Sequence, residues 1–291
     1  MMDRFALAFR EQQQLFLYDK TFLVQTLCTV GGLATLSGRF FVQFFWSPIL
    51  ALVITLGLLG LGAWLLWVSL REKRTQWQLL PLCLIPFVFL AASLSENAMH
   101  FSVLTAWLIA LAALYAYTRI RANKGVWSLL LTVIVYLAAG PAALLFALCA
   151  TIIGLWNKEW ESALLVPVAL LCGLGAWLLG WVPTLEVAWT PSFYYDLDAS
   201  MPAAHWIPWV LLPLTVLGCC LMKGPGWKKQ SAFAVGTAML AICLTPAFRL
   251  AKKAEDRQPG LTYEYEYYTV NEDWDGLIKA CLQNEWIPHT A

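Results

Sequence analysis

Residues Gly125 to Asn157 read GVWSLLLTVIVYLAAGPAALLFALCATIIGLWN, a stretch that contains no charged side chain. About 20 apolar residues cross the hydrocarbon core of a bilayer, so this stretch is long for one membrane helix and short for two. Gly140-Pro141 lies at its middle, and proline interrupts a helix because it has no backbone N–H. The stretch predicts either one kinked helix or a hairpin of two short helices, and we favour the hairpin.

Similar charge-free stretches lie on both sides of this segment. They are 40–70, 76–95, 101–118, 162–185, 206–222 and 230–248. With 60% hydrophobic and 13% charged residues, the chain is far more apolar than a soluble protein. We therefore predict an all-α fold, a polytopic transmembrane helical bundle of about seven or eight membrane helices with a short soluble helical tail.

The composition also suggests a division into three parts. Residues 1–45 form an amphipathic pre-membrane region, and residues 46–249 form the transmembrane helical domain with an outer loop at 183–205. Residues 250–291 carry many charges and form the soluble tail, which resembles one unit of a helical-repeat array. A single unit of that kind cannot bury its own apolar face, so we expect a truncated domain or a partner surface.

Basic residues are concentrated in some of the links between the apolar stretches. Clusters at 71–74, 119–124 and 223–229 carry Lys and Arg, whereas the links at 96–97 and 183–205 carry none. Because short cytoplasmic loops are enriched in Lys and Arg, the hairpin places all three clusters in the cytoplasm and both terminal segments outside. A single kinked helix would move the third cluster outside and the tail inside.

Two classes of function are disfavoured by the charges. A formal net charge of +1 leaves no basic stripe to neutralise phosphates, so nucleic acid is not an expected partner. No Asp, Glu, Lys or Arg lies in the middle of a predicted span, which argues against a proton-coupled transporter or an ion pump. The lipid bilayer is the partner that the sequence indicates most directly.

The outer loop contains the candidate metal site. Tyr194-Tyr195-Asp196-Leu197-Asp198 includes an Asp-x-Asp pair, a spacing with which sugar-nucleotide transferases hold a divalent cation against a diphosphate. Asp196 and Asp198 are therefore our candidate catalytic and metal-binding residues. The alternative is that both aspartates form a turn before the next helix.

Other acids and histidines could join this site from elsewhere in the chain. Asp19, before the first span, is a third candidate catalytic residue, because the hairpin places it on the same side as the outer loop. Glu96 and His100 are four residues apart and would share one helix face as an acid–base pair, or serve as a helix cap and an interfacial histidine. Glu186 and His205 flank the loop and could add acid–base groups or ligands.

The tail contains the candidate partner-binding residues. Tyr263, Tyr267 and Tyr268 fall at helical spacing, although alternation of tyrosines also permits a short strand. Asp273 is placed to cap a second helix, in which Trp274 and Ile278 share one face with Leu277 and Cys281. We predict that Tyr267, Trp274 and Ile278 bind a partner.

Several sequence blocks carry a resemblance to a known family. EQQQLFLYDKTFLVQTLCTVGGLATLSGRFFVQFFWSP (Glu11 to Pro48), YLAAGPAALLF (Tyr136 to Phe146) and the Trp274-Asp275-x-Leu-Ile pattern resemble an uncharacterised family of Bacteroidota inner-membrane proteins, a domain of unknown function. The resemblance implies longer relatives, with an additional span before the first block and a helical soluble domain after the tail. With that span restored, the layout is similar to the GT-C glycosyltransferase superfamily, whose first external loop holds a catalytic acid.

The resemblance and the residues together predict a multi-pass protein of the bacterial inner membrane with periplasmic terminal segments. We predict a role in envelope assembly or partner binding, with an envelope protein as a candidate partner. The alternative is a GT-C-like glycosyltransferase that uses a polyprenyl-phosphate-sugar donor at the periplasmic face. A divalent metal is the expected cofactor only for the transferase.

Overall fold

The computed structural model describes residues 4–70, 77–96, 98–120, 123–195, 202–222, 226–257, 265, 267–270 and 272–283. Every regular element within these residues is helical, which confirms the predicted all-α class. The α-helices are α1 (Arg4–Gln13), α2 (Lys20–Leu27), α3 (Gly32–Val42), α4 (Pro48–Leu70), α5 (Leu80–Ser93), α6 (Ser102–Arg119), α7 (Lys124–Ala139), α8 (Ala142–Trp156), α9 (Leu165–Leu178), α10 (Leu185–Trp189), α11 (Ile207–Leu221), α12 (Gly226–Arg257) and α13 (Trp274–Gln283). Short 3-10 helices cover Trp77–Leu79, Trp160–Leu164, Pro191–Tyr194 and Ala203–Trp206.

Four helical segments are long and apolar enough to cross a membrane: Pro48–Leu70, Ser102–Arg119, Trp160–Leu178 and Ala203–Leu221. Four more are apolar but shorter, namely Leu80–Ser93, Lys124–Ala139, Ala142–Trp156 and Ala234–Leu250. The helical bundle is thus confirmed, together with a set of helices of spanning length. The total of about seven or eight membrane helices stays a prediction.

Helix α6 lies at the centre of the bundle, where it packs against α3, α4, α7 and α8. A helix that is apolar on most of its circumference is suited to such a position, and Trp107 is fully buried in it. Close approach of α3 depends on Gly38, because a Cβ atom there would lie 2.6 Å from the backbone of Ser102. Thr105 Oγ1 donates a hydrogen bond to the carbonyl oxygen of Ala34 (2.7 Å), which fastens α3 to the start of α6.

Residues 125–157 form the predicted hairpin. Gly140 has φ +65° and separates α7 from α8, and Pro141 caps the start of α8. The chain then returns to the level at which it entered, because Lys124 Nζ at the start of α7 lies 2.7 Å from the Glu159 carboxylate just after α8. The two helices also contact one another, so a single kinked helix is excluded.

The hairpin gives the bundle two distinct ends. We call the end with Lys124 and Glu159 the basic end. Tyr117, near the C-terminus of α6, also donates a hydrogen bond from its hydroxyl to Glu159 there (3.2 Å). The opposite end, which we call the outer end, holds Gly140 and the α5–α6 turn (residues 94–101). The N-terminal region reaches this end, where the backbone N–H of Gly31 bonds Leu137 O (2.9 Å) just before the hairpin corner.

Helix α12 continues through the position at which the composition changes. It runs unbroken from Gly226 to Arg257, includes Pro246, and packs along α5. Its early part lies beside the start of α5, because a Cβ atom at Gly236 would be 3.3 Å from Leu82 N. The helix therefore crosses the predicted boundary at residue 249, and the division into domains stays a prediction.

The described part of the tail is helical. Residues 267–270 are helical, and Asp273 Oδ1 accepts a hydrogen bond from Gly276 N (3.0 Å), which confirms the predicted cap of α13. The described residues give no support for a strand at Tyr265 and Tyr267, whereas Tyr263 lies outside them.

The hairpin corner provides a stability test. Gly140→Ala should lower the free energy of unfolding by about 1–3 kcal/mol, because its backbone lies in a region that L-residues rarely adopt. A Cβ atom would also lie 3.2 Å from the Phe193 ring. Gly60→Ala is the matched control, since that helical glycine faces open space and alanine favours helix by up to about 1 kcal/mol. Thermal unfolding in one detergent measures both, and equal effects would contradict the role of the corner.

Candidate functional site at the outer end

A buried carboxylate lies at the centre of the outer end. Glu96, in the α5–α6 turn, is only 8% exposed. Its Oε1 accepts a hydrogen bond from Tyr195 OH (2.6 Å), and its Oε2 lies 2.5 Å from Nε2 of His205. A buried carboxylate needs such partners, because transfer of an unpaired charge out of water is very unfavourable. The Glu96 carboxylate thus joins the α5–α6 turn to two separate parts of the outer loop.

Helix α1 fixes the backbone of this turn. Arg10 is 1% exposed, and its Nη2 donates hydrogen bonds to the carbonyl oxygens of Leu94 and Glu96, each at 2.7 Å. Directly after α1, Gln14 Oε1 accepts from the backbone N–H of Phe101 (3.0 Å). These bonds hold both ends of the α5–α6 turn, so the pre-membrane region is an integral part of the site.

The outer loop is joined to the same turn through its backbone. His100 N donates to Tyr194 O (2.8 Å), and Met99 forms an isolated antiparallel bridge with Tyr195. Tyr195 has extended backbone directly after the 3-10 helix Pro191–Tyr194. The Tyr195 hydroxyl reaches Glu96, whereas the Tyr194 hydroxyl bonds the backbone of Ala139.

Tyr194 ties the outer loop to the hairpin corner. Its hydroxyl donates to the carbonyl oxygen of Ala139 and accepts from the backbone N–H of Ala142 (3.3 Å). Burial raises the pKa of Tyr194 above its ordinary value, so the phenol keeps its proton and remains a donor. The Tyr194 ring also stacks on Trp209 of α11, with centroids 6.0 Å apart, and Trp209 meets Trp107 of α6 edge-on at 6.1 Å.

Three ring nitrogens in this region are buried without a hydrogen-bond partner among the described residues. They are His205 Nδ1, Trp209 Nε1 and Trp107 Nε1. Buried polar atoms in proteins nearly always have a partner, so each exception calls for an explanation. His205 and Trp209 are four residues apart in one helical segment, so two of the three unpaired ring nitrogens belong to residues on successive turns of that segment.

The hydrogen bonds define the chemistry of His205. The ionised form of a carboxylate only accepts hydrogen bonds, and with Glu96 in that form Nε2 of His205 carries the proton directed at Oε2. In the neutral ring, Nδ1 then holds a lone pair. A histidine that is oriented by a carboxylate in this way is suited to accept a proton or to bind a metal. Among the described residues, no three His, Cys, Asp or Glu side chains lie close enough to hold a metal ion.

The predicted acidic residues fall into two groups. Asp196 and Asp198 lie outside the described residues, so the metal site stays a prediction. Asp19 is the N-cap of α2, where Thr21 and the backbone N–H of Phe22 donate to its carboxylate and hold the pKa of Asp19 below its ordinary value. The structure therefore gives Asp19 a structural role, and its catalytic role stays a prediction.

The pairing of Glu96 could not be read from local spacing. The sequence suggested His100 as its partner, whereas His205 and Tyr195 lie 109 and 99 residues away along the chain. The sequence indicates His205 only as a residue that flanks the outer loop and could add an acid–base group or a ligand, and Arg10 carries no signal for this role. The lack of Lys and Arg in both links, which predicted that they share one side, was the available hint.

The three predicted partner-binding residues lie in the described part of the tail. Trp274 and Ile278, four residues apart on α13, are 57% and 56% exposed. Tyr267 is half-buried, with its ring against Tyr268 at 5.7 Å. The exposed pair fits a docking surface, and the binding itself stays a prediction.

Comparison with known proteins gives one match. A family described as "Family of unknown function (DUF6057)" matches residues 1–291. No curated protein and no solved structure matches the chain. The match confirms the expected relation to a family of unknown function, while the taxon and the GT-C layout stay predictions.

Hydrogen exchange of backbone amides tests whether Asp19 caps helix α2, independently of any catalytic role. Asp19→Ala should lower the protection of the Phe22 amide against hydrogen exchange severalfold, whereas Asp19→Asn should preserve it, because asparagine caps as well as aspartate. The pKa of Asp19 is depressed, so its stabilising effect is present at neutral pH and is lost as the pH falls through that lowered pKa. Equal loss of protection in both variants would contradict the cap.

Proposed function

We infer that this chain, which belongs to the DUF6057 family of unknown function, is a multi-pass protein of the bacterial inner membrane. The observation that carries the inference is the apolar surface of the helical bundle. Many large aliphatic and aromatic side chains point away from the core and are more than half exposed: Ile49, Leu52, Val53, Leu56, Val126, Leu171, Leu178, Val210, Leu214, Ile242, Leu244 and Phe248. Soluble monomers rarely expose contiguous apolar patches above a few hundred Å². A lipid environment accounts for this surface.

The basic end faces the cytoplasm in this proposal. Arg119, Lys124 and Lys158 lie at or beside that end, in short links of the kind that the positive-inside rule counts. The outer end, with α1 to α3 and the loop at 183–195, then faces the periplasm. The two terminal segments share that side.

We propose a role in envelope assembly or partner binding on the periplasmic side. Two features support it. Side chain–backbone hydrogen bonds from Arg10, Gln14 and Tyr194 tie together segments that are distant in sequence, which produces a fixed surface at the outer end. The tail adds α13, whose Trp274 and Ile278 are exposed, and aromatic anchors of this kind dominate many protein interfaces.

A second candidate function is the GT-C-like glycosyltransferase. One observation favours it: the N-terminal helices, the α5–α6 turn and the outer loop meet at one end and bring a carboxylate, a phenol and an imidazole together there. A polyprenyl-phosphate-linked sugar in the outer leaflet would approach that end. In this function, Asp196 and Asp198 would hold a divalent metal against the phosphate of the donor, and Asp19 would be a third catalytic acid, from the pre-membrane region.

Reporter fusions test the proposed orientation. A phosphatase and a fluorescent reporter are fused in turn after Asn157, at the basic end, and after Pro202, at the outer end. We expect fluorescence without phosphatase activity at Asn157 and the reverse at Pro202, because the hairpin brings residues 124 and 159 to one side. The same compartment at both positions would contradict the proposed topology.

Photo-crosslinking tests the tail as a partner surface. A photoreactive amino acid at Ile278 in living cells should give one discrete protein adduct, and Trp274→Ala should abolish it by removing the neighbouring anchor. Because Trp274 is mostly exposed, the change should alter the free energy of unfolding by no more than about 0.5 kcal/mol. The same probe at Ile242, on the apolar surface, is the control. The proposal fails if Ile278 gives no adduct or if both positions give the same one.

A further inference from the structure

We propose that His205 is a catalytic proton acceptor at the outer end and that its substrate group is a hydroxyl. Glu96 and Tyr195 act as positioning residues that hold the ring and the carboxylate in place. This inference rests on the transferase as the candidate function, because it names the base that such an enzyme would use. It differs from the sequence-based prediction, which assigned catalysis to aspartates.

The first argument is the asymmetry of the His205 ring. Nε2 is 2.5 Å from the Glu96 carboxylate, whereas Nδ1 has no hydrogen-bond partner among the described residues. The ring is 4% exposed, so Nδ1 is also not solvated by bulk water. A histidine with a purely structural role would be expected to use both nitrogens when buried. Here the carboxylate fixes the tautomer and leaves the lone pair of Nδ1 available.

The second argument concerns the kind of group that could form hydrogen bonds with the unpaired ring nitrogens. Nδ1 needs a donor, whereas the indole N–H groups of Trp209 and Trp107 need acceptors. A hydroxyl group supplies both, because it has one O–H donor and two acceptor lone pairs. A carboxylate or phosphate would leave Nδ1 of the neutral ring without a partner. The need of Nδ1 for a donor therefore favours an alcohol or a sugar hydroxyl.

The third argument is that groups other than the Glu96–His205 pair also hold the backbone at this end. Arg10 and Gln14 hold the backbone of the α5–α6 turn, and Tyr194 holds the hairpin corner. A buried pair such as Glu96–His205 adds little net stability in most proteins, because desolvation offsets the attraction. The pair therefore calls for an explanation other than stability, and proton transfer is one that its geometry allows.

The proposed step is a transfer of a glycosyl group to the hydroxyl. The O–H bond breaks, its proton moves to His205 Nδ1, and its electron pair stays on the oxygen. That oxygen forms a bond to the anomeric carbon of a polyprenyl-phosphate-linked sugar. The bond between the anomeric carbon and the phosphate oxygen breaks, and the lipid phosphate leaves with that electron pair. Glu96 stabilises the imidazolium through the bond at Nε2.

Chemical modification tests the site without knowledge of the substrate. The chain has three histidines, His100, His205 and His289, so carbethoxylation by diethyl pyrocarbonate can be assigned by mass spectrometry. The full chain is treated in lipid nanodiscs, in its native form and as Glu96→Gln. We expect His205 to react in the folded protein, about tenfold faster in the native form, because the Glu96 carboxylate orients the ring and holds the proton on Nε2, which leaves the lone pair on Nδ1.

One control variant and a stability measurement show whether the effect on His205 is specific to Glu96. Glu161→Gln makes the same chemical change at an exposed acid of the basic end and should leave the native rate unchanged. Thermal unfolding of each variant separates loss of reactivity from loss of the fold. The proposal is overturned if His205 reacts only after denaturation, or if Glu96→Gln reacts as fast as the native protein.

A transfer assay separates this inference from the transferase itself. A polyprenyl-phosphate-linked hexose is incubated with an alcohol acceptor, and released polyprenyl phosphate is measured for the native chain and His205→Gln. The glutamine amide can still donate to Glu96, so the variant should fold but lose at least about 99% of the rate. Equal rates would exclude His205 as the base while the transferase stands. No transfer by the native chain, with a reactive His205, would exclude this sugar transfer and leave the proton-accepting site.

Discussion

The outer end of this bundle depends on the burial of one carboxylate. Glu96 lies in a turn between two apolar helices, where an unpaired charge would strongly destabilise the fold. Its hydrogen bonds to Tyr195 and His205 bring two parts of the outer loop to that turn, and Arg10 brings the N-terminal helix to the backbone of the same turn. A charge that must be paired thus determines which distant segments meet.

The hairpin at Gly140 determines which side of the bundle those segments occupy. Two short helices return the chain to the basic end, so helix α9 begins there and the loop that follows it lies at the outer end. The Lys124–Glu159 contact closes the hairpin at one end, and Tyr194 and Gly31 hold its corner at the other. The chain can then place its N-terminal helices and its outer loop together.

The environment of His205 links this architecture to function. The same residues that close the outer end leave one imidazole nitrogen and two indole N–H groups buried without partners among the described residues. At the same end the side-chain nitrogen of Gln14 is also buried without such a partner, whereas the backbone at both ends of the α5–α6 turn is hydrogen-bonded. A hydroxyl that reaches Nδ1 of His205 would give that nitrogen a donor, which is why the outer end, rather than the tail or the basic end, is where we place chemistry.

Several features were determined by the sequence itself. Charge-free stretches of sufficient length predicted helices, Gly140-Pro141 predicted the break between α7 and α8, and Asp273 predicted the cap of α13. Each of these depends on composition or on residues within four positions of one another, over which helix geometry is regular. The exposure of Trp274 and Ile278 follows from the same spacing. Only the tertiary structure decided that Glu96 pairs with His205 and Tyr195, and that Arg10 is buried against Leu94. These hydrogen-bond partners are 84 to 109 residues apart along the chain. Partners at that separation are brought together by the packing of whole helices, which no local sequence pattern encodes.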